Sequence, residues 1–251
     1  MIILENIVNN MWIKSQFKGV DLKDKRLNMR IEKIAINMMA NPSASIPEQN
    51  KDWKDTKGAY RFFDSKRVKF NEVIKPHIEL TKEEVRNRKI VLCIQDTCYI
   101  TYSHHPSVNG LSSIGGGHNS KKAEGLILHN TLAVDPNKFH PEVIGILDQY
   151  IHNRNDAIDD EDWKETQLWI EASRRIHIAD SKTQIVEVMD REGDVFDIMQ
   201  NSLDLKHDFI IRAKNNAILK KSSEHNLFDF VKKLTPSGII KLDIRKKKGQ
   251  I

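Results

Sequence analysis

The sequence has few cysteines and no long apolar stretch, and both absences restrict where the protein can work. Its 251 residues include only Cys93 and Cys98, too few for a disulfide framework. An odd number of positions separates the pair, so on an extended segment they point to opposite faces and cannot easily form a bridge. No apolar run approaches the length of a membrane span, and Glu5 interrupts the N-terminal apolar residues too early for a signal peptide. We expect a protein of the reducing cytoplasm that does not associate with membranes.

Charge is distributed unevenly along the chain. Residues 1–90 carry 19 Lys and Arg against 12 Asp and Glu, whereas residues 91–251 carry 21 against 23, which gives +7 and −2 and the net charge of +5. A basic front joined to a slightly acidic rear is typical of a protein that handles DNA. An ordinary solvated basic surface would show the same charge, and the charge alone does not decide between the two.

Helical periodicity dominates the basic front. Apolar residues at helical spacing predict a helix over residues 22–40, with Asp21 as its N-cap and Asn41-Pro42 as its end. Arg26, Arg30 and Lys33 fall on a second face of this helix, at spacings of four and three. This cationic stripe either is solvated or contacts DNA phosphates.

Two short helices follow, and their tight connection resembles a helix-turn-helix. The first has a Ser cap with Pro47 early in it; Asp52 caps the second, over residues 53–63, and Asp55 completes a shortened capping box. A further helix capped by Asn71 reaches Arg86, and an all-α domain ends at residue 88. The second short helix is expected to present Lys54, Lys57 and Arg61 outward and to pack Ala59, Phe62 and Phe63 inward.

Two apolar strands that both stop at an aspartate carry the candidate chemistry. The run over residues 90–94 leads to Asp96, and the run over residues 184–189 leads to Asp190. A single such Asp is explained by a solvated strand end, because an unpaired buried carboxylate is costly. Since the pattern recurs, we expect both carboxylates to converge on Mg²⁺ or Mn²⁺, which prefer oxygen ligands. Two such ions roughly 4 Å apart are a known arrangement for in-line attack on phosphodiesters.

The remaining elements predict a mixed α/β sheet with helices on its faces. Strands over residues 126–134 and 143–150 have short loops and form an antiparallel meander with the first Asp strand. Strands and helices then alternate, with helices over residues 163–178 and 195–203 and a strand over 208–213. Beyond Lys214 the pattern weakens to a short helix over 228–234 and a strand over 239–244.

The sequence resembles a family of known proteins in several collinear segments. In the basic front these are residues 21–28 (DLKDKRLN), 41–47 (NPSASIP) and 56–63 (TKGAYRFF), which look like the DNA-binding domain of bacterial insertion-sequence transposases. In the rear they are residues 95–97 (QDT), 102–106 (YSHHP), 147–149 (LDQ), 190–194 (DREGD) and 164–166 (KET) with Trp169, which look like the catalytic core of the same proteins.

This resemblance is to the cut-and-paste DDE transposases, and it implies a ribonuclease-H-like core behind a helix-turn-helix-like domain. It implies that Asp96 and Asp190 are catalytic residues that bind the metal. It also implies double-stranded transposon ends as partners and a possible homodimer that pairs two ends. The implied domains are residues 1–88 for DNA binding, 89–216 for an incomplete core and 217–251 for the start of a β-rich insertion. The expected DNA-binding residues are Arg26, Arg30, Lys33, Lys54, Lys57, Tyr60 and Arg61.

One departure from the family concerns its third acid, a Glu in the pattern Tyr-x2-Arg-x3-Glu-x6-Lys. None of the four tyrosines has an arginine three residues later, so the pattern is absent and the resemblance implies that the chain ends inside the insertion. Glu187 and Glu192 are the nearest substitutes, but Glu187 lies three residues before Asp190 on an extended strand and so points to the opposite face. The sequence leaves three hypotheses for the function. They are a Mg²⁺-dependent DDE transposase or its N-terminal part, a non-catalytic DNA-binding repressor or partner subunit, and an unrelated metal-dependent nuclease.

Overall fold

The chain forms two compact units, Met1–Arg212 and Ala213–Ile251. The computed structural model describes residues 11–102, 107–114, 123–137, 140–152, 165–179, 181–219, 225–239 and 241. The first unit contains the predicted boundary at residue 88, which stays a prediction. Among the described helices, none is long and apolar enough to cross a membrane.

The first unit begins with a cluster of helices. Their bounds are residues 11–17 (α1), Lys25–Ala40 (α2), Ile46–Gln49 (α3), Trp53–Phe63 (α4) and Phe70–Arg86 (α5). The apolar sides of these helices bury a common core, because the predicted periodicity places those residues on inward faces. The buried core residues are Val20, Leu22, Ile31, Ile34, Ala59 and Phe62.

Capping residues decide where these helices begin. Asp52 caps α4 as predicted, since its Oδ1 accepts a hydrogen bond of 2.7 Å from the Asp55 backbone N. The prediction that Asp21 caps α2 was wrong: Asp24 is the N-cap. Lys23 has a φ of 57°, a left-handed conformation that a helix cannot contain, so α2 starts only after it. Helix α5 likewise begins at Phe70, and its N-cap is Lys69, two residues before the predicted cap, Asn71.

A mixed sheet follows the helices, as predicted. The strand bounds are Ile90–Thr101 (β1), Ser112–Ser113 (β2), Glu124–Asp135 (β3), Glu142–His152 (β4), Gln184–Met189 (β5) and Asp208–Ile211 (β6). Strand β1 pairs with β3 antiparallel and with β5 parallel, β3 also pairs with β2 and β4 antiparallel, and β5 pairs with β6 parallel. The antiparallel meander of β1, β3 and β4 is therefore confirmed.

Helices α6 (Thr166–Ile176) and α7 (Phe196–Asp204) cover one face of this sheet. Ile176 packs with Val91 and Cys93 from β1, and Ile198 packs with Met189 from β5. Cys93 is buried on this face while Cys98 is exposed, and both thiols are free, as their odd spacing predicted. The covered face is thus apolar at its margins, and its centre carries the polar groups described below.

Helix α5 protects the edge of strand β4. The backbone N–H of Ile146 donates to Nε2 of His77 at 3.0 Å, and the other ring nitrogen of His77 lies 2.7 Å from Oε1 of Gln16. Gly145 allows this close approach, since a Cβ there would lie 2.4 Å from Oγ1 of Thr81. At Gly145 and Ile146 the outer edge of β4 is therefore occupied by α5 and is closed to pairing with another strand.

The second unit contains helix α8 (Leu227–Lys233) and an isolated bridge between Ile218 and Asn226. Most of the predicted strand over residues 239–244 lies outside the described residues. The same holds for residues 103–106 and 164 of the motifs and for the start of the helix predicted at 163. A β-rich insertion in this part stays a prediction.

Candidate DNA interface and candidate cation site

The two strand-end aspartates hold equivalent positions just beyond the last pair of two neighbouring strands. The parallel pairing of β1 and β5 ends with Ile94 opposite Val188, and Asp96 and Asp190 each come two residues later in the chain. Both aspartates are exposed. The prediction that the first Asp strand ends at Asp96 was wrong, because the antiparallel pairing of β1 with β3 continues as far as Thr101. Asp96 therefore marks the point where β1 and β5 part.

Backbone groups hold one oxygen of each carboxylate. Oδ1 of Asp96 accepts from the Thr97 N at 2.9 Å, and Oδ1 of Asp190 accepts from the Glu192 N at 2.8 Å, which caps a 3₁₀ turn over Arg191–Gly193. Within the described part of the chain, neither Oδ2 takes a hydrogen bond. Each carboxylate is thus oriented through Oδ1 and has Oδ2 available, and carboxylate oxygens are ligands that suit Mg²⁺ or Mn²⁺.

Two amide side chains continue the row of polar groups from Asp96 across the sheet. Asp96 lies opposite Asn130 on β3, and Asn130 lies opposite Gln149 on β4. Nε2 of Gln149 donates to Oδ1 of Asn130 at 2.7 Å, which fixes the orientation of the Asn130 amide. Sequence reasoning missed Asn130, since only the strand register shows that it neighbours an acid.

No third carboxylate joins the pair among the residues that the structure describes. Glu187 lies on the opposite, helix-covered face, as predicted, and is 0% exposed. Glu192 is exposed in the 3₁₀ turn after Asp190. Across the described ranges, no group of three His, Cys, Asp or Glu side chains converges.

Below the acids, the buried His129 contacts β1 from strand β3. Its Nδ1 lies 2.9 Å from Oγ1 of Thr97, and its Nε2 lies 3.2 Å from Oε1 of Gln95. The Trp169 ring packs edge-on against the imidazole, with 4.8 Å between the ring centroids. Burial, together with the smaller effect of the Arg175 charge, lowers the pKa of His129 from 6.5 to about 4. His129 is therefore neutral near pH 7.

We expect the protein to lose stability as pH falls. A histidine whose pKa is lower in the folded chain binds fewer protons there, so its stabilising effect is complete above about pH 6.5 and declines as pH falls towards about 4. The loss from His129 reaches about 3 kcal/mol at most. Urea unfolding of the wild type and of His129→Gln between pH 6.5 and about 4 measures this loss of stability. Replacement of the exposed His140 by Gln is the control. Parallel pH curves for wild type and His129→Gln would contradict the assignment.

The outward side of helix α4 combines cations with aromatic rings. Trp53 is 72% exposed and Tyr60 is 44% exposed. Lys54, Lys57 and Arg61 are exposed beside them, and none of the three has an ion pair within the described residues. We call these five residues the α4 face. The inward side is buried through residues that include Ala59 and Phe62. Phe63, predicted to pack inward, is 48% exposed and touches Phe62 edge-on at a centroid distance of 5.5 Å.

The cations of α2 have different surroundings. Nη1 of Arg30 lies 3.0 Å from Oδ1 of Asp55, and Nζ of Lys33 lies 2.5 Å from Oδ2 of the same carboxylate. The hydrogen bond from Lys33 and then that from Arg30 lower the pKa of Asp55. Asp55 thus joins α4 to α2 instead of completing the predicted capping box. Gly58 gives the Arg30 guanidinium room, since a Cβ there would lie 2.6 Å from Cζ of Arg30.

Arg26 lies at the start of α2 and is the most exposed cation of the predicted stripe. Its side chain is 92% exposed, and one of its nitrogens lies 3.4 Å from Oδ2 of Asp24. Arg67 lies at the same distance from that carboxylate. The structure therefore separates the stripe into a solvent-facing Arg26 and two cations, Arg30 and Lys33, that hold Asp55.

The helical region at the start of the chain matches a known protein family. Residues 9–68 match the family model described as Transposase DNA-binding. The match supports a transposase N-terminus with DNA as its partner. Helices α2, α3 and α4, and with them the whole α4 face, lie inside the transposase DNA-binding match, whereas Asp96 and Asp190 lie outside it. Trp53 is a member of this face that the sequence reasoning did not single out, although its place at the first turn of a capped helix was a signal.

Proposed function

We propose that this chain is a transposase, or an N-terminal part of one, that binds double-stranded transposon ends and carries a cation-dependent, ribonuclease-H-like core for phosphoryl transfer on DNA. The observation that carries the DNA-binding part is the coincidence of the transposase DNA-binding match with the exposed α4 face. The core is proposed because Asp96 and Asp190 each come two residues after the last pair of the β1–β5 ladder.

Each member of the α4 face has a physical role in binding duplex DNA. Lys54, Lys57 and Arg61 neutralise phosphates, which supplies affinity without reading sequence. Tyr60 and Trp53 add flat rings with polar edges that pack against sugars and bases. Arg26 contributes a phosphate contact from the start of α2.

Arg30 and Lys33 act mainly on the angle between α2 and α4, through Asp55. A shared carboxylate held by two cations across a helix pair fixes how α4 is presented to DNA. The more exposed Lys33 also reaches the phosphate backbone. Loss of Arg30 therefore affects DNA binding largely through the placement of the α4 face.

In the core, Asp96 and Asp190 would hold Mg²⁺ or Mn²⁺. When bound, the cation supplies Lewis-acid stabilisation of the charge that develops on a phosphate. The chain's own residues have two further roles. Backbone N–H groups orient both carboxylates, and the Asn130 amide, whose oxygen accepts from Gln149, presents its N–H groups beside Asp96. Such an amide is placed to donate to a phosphate oxygen of the DNA.

A second candidate function is a non-catalytic DNA-binding subunit. It is favoured by the buried position of Glu187 and by the lack of a three-acid group among the described residues. Such a chain would occupy transposon ends and repress movement, or pair with a catalytically complete partner. A homodimer that pairs two ends is compatible with both functions.

Selection from a pool of random duplexes tests the proposed DNA recognition. Repeated rounds of capture by the purified 251-residue chain are expected to enrich a common sequence, as a protein that recognises element ends should do. Duplexes with the enriched motif scrambled serve as the matched control. A pool from which the chain retains no duplex above background would contradict the proposal.

A further inference from the structure

A chain of buried polar groups lies on the covered face of the sheet, directly behind the two acids. Its centre is Glu187, which is 0% exposed. Oε2 of Glu187 accepts from Nε2 of Gln95 at 2.8 Å and from Oγ of Ser173 at 2.5 Å, while its Oε1 lies 2.7 Å from Nδ1 of His207. His207 lies in turn 3.1 Å from the exposed His177.

The hydrogen bonds of this chain have one consistent direction. Because the Gln95 amide nitrogen donates to Glu187, the amide oxygen is the acceptor for His129 Nε2–H. A neutral His129 then accepts at Nδ1 from the Thr97 hydroxyl. The backbone N–H of Thr97 donates to Asp96. An ordered path therefore joins the carboxylate of Glu187 to the residue that orients Asp96.

The position of this path in the sheet suggests its purpose. The parallel pairing of β1 with β5 ends at Ile94 and Val188, just before the two acids. Gln95 is the next residue of β1, and its bond to Glu187 joins the same two strands by side chains at the point where backbone pairing stops. A buried carboxylate is costly, and an apolar pair would serve packing as well or better. A fully bonded polar group instead favours a single geometry.

We propose that Gln95 and Glu187 are positioning residues for the cation site: their bond holds the ends of β1 and β5 at the separation that lets Asp96 and Asp190 share one cation. This inference rests on the proposed function of those acids. The two residues act through the strands and touch neither the cation nor DNA. Outer partners of this kind typically change metal affinity by about 10- to 100-fold.

Mn²⁺ titration of the whole chain, followed by the paramagnetic resonance of free Mn²⁺, tests the proposal without any activity assay. Gln95→Leu keeps the volume but removes the bond to Glu187, and Gln95→Asn keeps an amide that is too short to reach it. Both are expected to weaken Mn²⁺ binding by about tenfold at a temperature where circular dichroism shows them folded.

Two controls separate positioning from general stability. Val85→Ala and Ile178→Ala each open a cavity in the apolar core and leave every hydrogen bond of the path in place. Both should change Mn²⁺ affinity less than about twofold while lowering the unfolding temperature. If Val85→Ala weakens Mn²⁺ binding as much as Gln95→Leu does, positioning by Gln95 is wrong.

The variants of the acids distinguish the failure of this inference from that of the proposed function. Asp96→Asn and Asp190→Asn should each abolish measurable Mn²⁺ binding. If they do, and Gln95→Leu binds like the wild type, the positioning role is overturned and the cation site stands. If the wild type binds no more Mn²⁺ than Asp96→Asn does, both the site and its positioning are overturned.

Discussion

Replacing Lys54, Lys57 and Arg61 together by alanine is expected to weaken binding to duplex DNA by about a hundredfold at moderate salt. That factor corresponds to three phosphate interactions that each contribute about 1 kcal/mol to the binding free energy. The three side chains are exposed on α4 and have no ion pair among the described residues, so their removal leaves the helix core intact. Alanine is also the best helix former, and α4 should keep its structure.

Fluorescence anisotropy of a labelled duplex measures this loss of affinity, and the chain offers a matched control. Lys89, Lys182 and Lys206 are exposed and lie just before the parallel strands β1, β5 and β6, at the opposite end of the sheet from Asp96 and Asp190. Their triple alanine variant removes the same charge and should keep affinity within about threefold of the wild type. Equal losses of affinity in the two triple variants would show that net charge, and not the α4 face, carries binding.

The purified chain is expected to bind DNA without cutting it in Mg²⁺ or Mn²⁺. In the proposed site the two aspartates supply only some of the ligands, and the loss of one ligand from a preorganised site typically costs orders of magnitude in rate. Glu187 bonds to His207 and Ser173 on the covered side, and within the described residues no third acid joins the two aspartates.

The assay for this prediction is nicking of supercoiled and end-containing duplexes at protein concentrations that saturate binding. Asp96→Ala is the control for contaminating nucleases, because any residual nicking should survive in it. Nicking by the wild type that disappears in Asp96→Ala would contradict the prediction. Glu192→Gln would then show whether the Glu in the turn after Asp190 serves as the third ligand.

Local signals in the sequence were enough to predict most elements of the first unit. Helix α4 has the predicted bounds, and the Asp52 cap that sets its start is a local signal. The apolar runs that lead to Asp96 and Asp190 were also predicted from local patterns, and both runs are strands. The opposite orientation of Glu187 needed only the alternation of an extended strand.

What the sequence did not predict depends on pairings between distant segments. The bonds from Arg30 and Lys33 to Asp55 join residues that are far apart in the chain, so a cationic stripe looked like a single surface. Asn130 beside Asp96 and Gln95 beside Glu187 are likewise products of strand register. The start of α2 was missed for a local reason, the left-handed Lys23, which no residue preference indicated.

The dependence of DNA affinity on salt tests the central claim, that the α4 face binds the phosphates of duplex DNA, most directly. Each phosphate contact contributes about 0.9 to the slope of log affinity against log salt concentration. The slope of the Lys54, Lys57 and Arg61 triple variant should therefore be shallower than that of the wild type by nearly three, while the Lys89, Lys182 and Lys206 variant keeps the wild-type slope. A wild-type slope near zero, or the same slope in all three proteins, would contradict the claim that the α4 face binds DNA phosphates.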